Sequence, residues 1–175
     1  MSHLSREIRK YVEHLAGFDH VMRDELPSGY HGLHDLVAKK GCEMPVSKRK
    51  VPCGIMGYCY SNAQALALRD DSLRYAEGWA QHLPSPLPIL HAWCVDEKGS
   101  VVDPTWCTPS RQPISAPRWG RRGYFGVIID TSYMLARMIK TKLHASILDD
   151  YKGNYPLLTT PGLADEVILP CGRRR

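Results

Sequence analysis

Three short segments rich in alternating, β-branched or aromatic residues follow one another at 74–80, 89–95 and 100–105, and they constrain this chain more than any other feature. His82-Leu83-Pro84-Ser85-Pro86-Leu87-Pro88 separates the first two, and its prolines cannot join a hydrogen-bond ladder. Asp96-Glu97-Lys98-Gly99 is a turn signal between the second and third. The pattern predicts an antiparallel sheet, to which 124–129 adds a further strand.

Helical signals surround this sheet. Ile8, Tyr11, Val12 and Leu15 recur at three- and four-residue spacing, predicting a helix over 5–15 with Ser5 as N-cap. From 27 to 57 glycines and prolines break the chain into loop, with one short helix near 33–40. Residues 59–69 (CYSNAQALALR) read as a helix that begins at or beside Cys59 and is ended by Asp70-Asp71-Ser72. The longest helix is expected over 131–148, with Met134, Leu135, Met138, Ile139, Leu143, Ile147 and Leu148 as a core stripe. The tail past Tyr151 reads as irregular. The expected fold class is therefore α+β, a helix-start cysteine packed on an antiparallel sheet, in one domain over 1–175. Its core spans about 57–130, with a helical and loop region over 1–56 and a helix over about 131–150 followed by a tail.

A chain of 175 residues, 43% hydrophobic and 23% charged, can bury a real core. It has no apolar run of the roughly 18 to 20 residues a membrane span needs, and Met1-Ser2-His3-Leu4-Ser5-Arg6 lacks the apolar run of a secretion signal, so a soluble, cytoplasmic protein with no membrane partner is expected. In a reducing compartment Cys42, Cys53, Cys59, Cys94, Cys107 and Cys171 are expected as thiols. The absence of a CxxC pair argues against structural zinc, and no metal or cofactor is expected. The net charge of +5 resides partly in Arg173-Arg174-Arg175 and Lys48-Arg49-Lys50 without an aromatic-interleaved basic stripe, which argues against a nucleic-acid partner.

The chemistry concentrates between Gly57 and Trp106. A helix N-terminus presents free N–H groups and a positive dipole end, which favour a thiolate and can bind a developing oxyanion, so Cys59 is placed as a nucleophile. A chain reversal at 96–99 pairs Val95 with Ser100 or its neighbour and brings His91 opposite or diagonal to Asp103. A carboxylate there fixes the imidazole tautomer and stabilises the imidazolium formed when His91 takes the Cys59 proton. Pro104 forces Asp103 into extended geometry. Strand parity puts Cys94 on the face opposite His91, as a buried structural thiol.

The order GYCYSNA, YAEGWA, HAWCVDEKGSVVDPTW resembles the transglutaminase-like branch of the papain-like cysteine-enzyme superfamily, over about the middle third of the chain. The resemblance implies a papain-like or transglutaminase-like fold with Cys59 as nucleophile, His91 as general base and acid, and Asp103 as orienting group. It implies a cysteine hydrolase that attacks an amide or acyl carbonyl of a peptide, protein or small substrate and forms a thioester, as a protease, amidase or deamidase does. An acyltransferase, arylamine-acetyltransferase-like, shares the triad order. The short Cys-to-His and His-to-Asp intervals and the lack of an acidic loop argue against a calcium-dependent cross-linker. No glutamine matches the one that papain-type proteases carry before the nucleophile. The Cys59 N–H is one expected oxyanion donor, its partner unassigned.

Each residue alone has a plainer reading: Cys59 a buried thiol, His91 a satisfied core histidine, Asp103 a turn starter. The conjunction of three residue types in that order, each on the element its role requires, favours catalysis. A non-catalytic binding module on this fold, phage- or bacterium-encoded and engaging a host protein, is the alternative of a different class. Tyr58, Glu77 and Trp93 are the candidate substrate-binding side chains; a solvated Glu77 beside a packed Trp79 on the same strand face is the plainer reading of YAEGWA, and Trp93 and Trp106 read as core or cleft wall. His31-x-x-His34 with Cys42 is weak as a metal pattern, and 118–122 reads as a solvated basic turn.

Overall fold

The structure, a computed structural model, describes residues 2–107 and 121–171. In chain order the elements are α1 (His3–Met22), α2 (Leu33–Lys40), β1 (Cys42–Glu43), α3 (Cys59–Arg69), β2 (Arg74–His82), β3 (Ile89–Val95), β4 (Val101–Val102), β5 (Arg122–Ile129), α4 (Thr131–Thr141), α5 (Pro156–Thr159), α6 (Leu163–Val167) and β6 (Ile168–Leu169). The strands form one antiparallel sheet in the order β1-β5-β2-β3-β4, with β6 added on β5, so the fold is α+β.

The period-2 pattern splits the sheet into two buried faces. Tyr75, Trp79, Ala92, Cys94, Phe125 and Val127 pack against α1, α2, α3 and α4 in the larger core. Ala76, Ala80, Trp93, Val95, Tyr124 and Ile128 form a second cluster with Met44 and Trp106. The central pair β2 and β5 meets at Gly78 and Gly126, where an added Cβ at Gly78 would stand 2.4 Å from the Gly126 Cα.

Several boundaries differ from the sequence reading. The first helix starts at His3 because Ser2 is the N-cap, its Oγ accepting from the Ser5 N–H at 3.1 Å; Ser5 is instead buried and accepts the Tyr124 N–H at 3.2 Å. The helix also runs on to Met22, where Asp19 accepts from the backbone N–H groups of His34 and Asp35 and so caps α2 from outside. Gly32 lets that carboxylate approach, since a Cβ there would lie 2.4 Å from the Asp19 Oδ2 and displace it. β4 is only two residues long, because Pro104 cannot continue a ladder and Asp103 turns the chain. The helix expected over 131–148 stops at Thr141, and its presumed core stripe divides: Met134 is buried, whereas Leu135, Ile139 and Leu143 are exposed. Beyond it the N–H groups of Ile147 and Leu148 bond to Glu77 instead of to a helix. The tail is more regular than expected, carrying α5, α6 and β6.

The all-thiol expectation is corrected. Cys42 is bonded to Cys171 and Cys53 to Cys107, with Cα–Cα separations of 6.1 and 5.8 Å, leaving Cys59 and Cys94 free. Their spacings gave no pairing, since partners stand 129 and 54 residues apart and meet only through the tertiary fold. No helix among the described residues is long and apolar enough to cross a membrane.

Candidate active site

The approach to Cys59 is built by a turn. The Tyr58 N–H donates to the Ile55 carbonyl at 3.2 Å, and Gly57 between them has φ +83°, a value a type II turn demands and glycine supplies freely. α3 then opens at Cys59, with no side chain capping it. The first-turn N–H groups are therefore left for a ligand. Asn62 in the next turn holds the preceding loop, its Nδ2 donating to the Ile55 carbonyl at 2.7 Å and to Thr105 Oγ1 at 3.0 Å. With the Gly54 N–H on the Pro104 carbonyl at 2.7 Å and the Cys53–Cys107 bond, three links tie the loop before Cys59 to the loop after Asp103.

The hairpin register pairs Val95 with Val101, and continuing it sets Asp103 diagonal to His91. His91 Nε2 lies 2.9 Å from Asp103 Oδ2, and Cys59 stands near enough to the ring to favour its charged form. Among the described residues β4 covers β3 only at Cys94 and Val95, so the edge at His91 is open to the first turn of α3 although that helix packs on the opposite face. Cys94 points away as expected, its thiol donating to the Ala63 carbonyl at 3.2 Å.

Asp103 is saturated with donors. Its Oδ2 also accepts the Tyr124 hydroxyl at 2.8 Å, and its Oδ1 accepts the N–H groups of Thr105 at 2.7 Å and Trp106 at 2.9 Å. Burial disfavours the carboxylate, but these donors and the charge of His91 outweigh it and hold its pKa below the usual carboxylate value. For His91 burial likewise opposes charge, and the hydrogen bond and charge of Asp103, with Cys59 nearby, overcome it, raising the pKa to about 9. Near neutral pH the ring is an imidazolium that donates to Asp103. Burial pushes the Tyr124 hydroxyl far above its ordinary pKa, so it stays a donor to Asp103.

The candidate substrate residues divide. Tyr58 is 62% exposed beside Cys59, but Glu77 and Trp93 are fully buried, which removes both from a substrate surface. Glu77 accepts from the Tyr75 hydroxyl at 2.6 Å, Ser146 Oγ at 2.5 Å and the Ile147 N–H at 2.7 Å, so the solvated reading is corrected as well. Trp93 donates to Met44 Sδ at 3.3 Å in the second core. Two further residues complete the site, Trp106, read from the sequence as core or cleft wall, and Tyr124, which the sequence did not single out. Trp106 stacks on the His91 ring at 4.1 Å with 13° between planes, and Tyr124 orients Asp103. Trp106 was within reach as the end of the VVDPTW run; no local signal could have paired Tyr124 with Asp103 across 21 residues. His34 is turned to Asp19 and His31 to the Arg23 carbonyl, and no metal-holding cluster occurs among the described residues. Of the basic turn, 118–120 lie outside the described residues, while Arg122 belongs to β5 and donates to the Trp106 carbonyl.

The chain matches no family model, no curated protein and no solved structure.

Proposed function

We propose that the chain is a thiol enzyme of papain-like or transglutaminase-like architecture that attacks an amide or acyl carbonyl. The observation that carries this reading is the buried Asp103–His91 pair beside the one partly exposed free thiol, which opens a helix. Cys59, as thiolate beside the His91 imidazolium, attacks the carbonyl carbon; the oxyanion gains the Cys59 N–H and the α3 dipole. The tetrahedral adduct collapses to a thioester as the His91 proton passes to the leaving amine. Neutral His91 then takes a proton from the incoming water or amine, the thioester is cleaved, and the thiolate–imidazolium pair is restored. Asp103, Tyr124 and Trp106 orient the ring and are positioning residues.

The exposed apolar side chains of Ile55, Met56 and Tyr58 just before Cys59, and of Ile89 two residues before His91, support a substrate that is apolar around the scissile bond. Disulfides persist in oxidising surroundings, so the two found here favour an oxidising compartment over the cytoplasmic setting expected from the sequence.

The test is acylation by p-nitrophenyl acetate followed by intact-mass analysis and peptide mapping. An acetyl adduct on Cys59 that is absent from His91→Ala supports the reading; adducts on exposed lysines alone, equal in both proteins, refute it. Adding hydroxylamine and weighing hydroxamate against free acetate separates acyl transfer from hydrolysis.

A further inference from the structure

The basic run Lys48-Arg49-Lys50, which the catalytic reading leaves unused, borders a partly open pocket of about 190 Å³ beside Asp103. Residues 46–51 line it together with Val101, Val102, Asp103, Cys107 and Arg122. The chain entering the run is laid along β4: the Val101 N–H donates to the Pro45 carbonyl at 2.7 Å, and the Ser47 N–H to the Val101 carbonyl at 2.8 Å. Backbone bonds, rather than the charges themselves, thus bring the run to the pocket.

Four lining residues are cations and one, Asp103, is an acid. The Asp103 oxygens are already taken by His91, the Tyr124 hydroxyl and the N–H groups of Thr105 and Trp106, and its charge is answered by His91. Arg49 is paired with Asp70. Arg122 donates to the Trp106 carbonyl, a neutral acceptor, and among the described residues neither it nor Lys48 nor Lys50 has a carboxylate partner. Residues 108–120 and 172–175 contain no aspartate or glutamate that could answer these three charges. Like charges gathered about one pocket repel one another unless an anion sits between them, and the apolar walls of Val46, Val51, Val101 and Val102 strengthen the field there. The volume exceeds the roughly 10–15 Å³ that one water needs and falls below the roughly 300–1,000 Å³ of drug-sized sites, which selects a small group.

We infer that this pocket binds a small oxyanion, inorganic phosphate or the phosphate end of an ester, between Arg122 and the ammonium groups of Lys48 and Lys50. Arginine supplies a planar fork of donors for such a group, and the lysines supply point charges on flexible stems that can close over it. Neither Cys59 nor His91 lines the pocket, so the inference stands apart from the catalytic reading.

The test titrates inorganic phosphate and phenyl phosphate into the full chain at pH 7, with ionic strength held constant by sodium chloride, and follows calorimetric heats and thermal unfolding. Phosphate should raise Tm saturably above the chloride baseline. Lys48→Ala with Lys50→Ala removes two exposed side chains and leaves the core untouched, and it should weaken phosphate binding at least about tenfold. Lys98→Ala, an exposed lysine outside the pocket, should leave binding unchanged. Tighter binding of phenyl phosphate would assign the anion to an ester, and tighter binding of inorganic phosphate to the free ion, both within the proposal. No saturable response above chloride, undiminished binding by the double variant, or an equal loss in Lys98→Ala, the mark of dispersed surface charge, would overturn it.

Discussion

Replacing Asp103 by Asn keeps the shape of the carboxylate and removes its charge, which isolates what holds His91 protonated. The rise of the His91 pKa from 6.5 to about 9 corresponds to about 3 kcal/mol of preference for the charged ring. Because the folded value lies above the unfolded one, this stabilisation is fully present below pH 6.5 and is lost as pH rises through about 9. In Asp103→Asn, Oδ1 still accepts the Thr105 and Trp106 N–H groups, but the Asn amide now presents an N–H to Nε2. Nε2 can accept it only in a neutral ring carrying its proton on Nδ1, the nitrogen that must receive the Cys59 proton. Burial then acts with less opposition, and the His91 pKa should fall to 6.5 or below. The assay is a titration of the His91 Cε1–H resonance, assigned by its loss in His91→Ala. Urea unfolding of both proteins at pH 6 and pH 10 complements it: wild type should lose about 3 kcal/mol more than the variant between the two. A variant whose His91 still titrates at about 9 would refute this account of the pair.

Glu77→Ala strands the Tyr75 and Ser146 hydroxyls and the Ile147 N–H around an empty site, and urea denaturation should show a loss of about 3–5 kcal/mol. Tyr124→Phe removes one of four donors to Asp103 and should cost about 1 kcal/mol by the same measurement, with the His91 titration remaining above 6.5. Gly78→Ala places a Cβ against the Gly126 backbone and should lower stability by about 1–3 kcal/mol, read as a lower Tm. Cys53→Ser with Cys107→Ser opens a link spanning 54 residues and should cost about 4 kcal/mol by chain entropy, seen in urea melts without reductant.

What the sequence revealed was local. α3 begins at Cys59 and β3 spans Ile89–Val95 as their residue patterns predict, and a four-residue turn was enough to bring His91 to Asp103. Parity alone separated Cys94 from His91. What it concealed depends on contacts distant in the chain. Glu77 reads as a polar residue on a strand, and only the approach of Ser146, Ile147 and Leu148, some seventy residues later, makes burial of its carboxylate tolerable. The helix expected to reach 148 ends earlier, at Lys142 in the left-handed region, and the N–H groups of Ile147 and Leu148 are taken by Glu77. Ser5 appeared to be a cap because its type suits one, yet Ser2 caps and Ser5 reaches β5. The disulfides were hidden for the same reason, their partners being brought together by the sheet rather than by spacing.

The central claim is that His91 activates Cys59 as a nucleophile, and the rate of Cys59 alkylation by iodoacetamide with and without His91 tests it most directly. The disulfides leave Cys59 and the buried Cys94 as the free thiols, so mass analysis assigns the adduct cleanly. At pH 7 Cys59 should be alkylated at least about tenfold faster in wild type than in His91→Ala. Equal rates in the two proteins would contradict the claim.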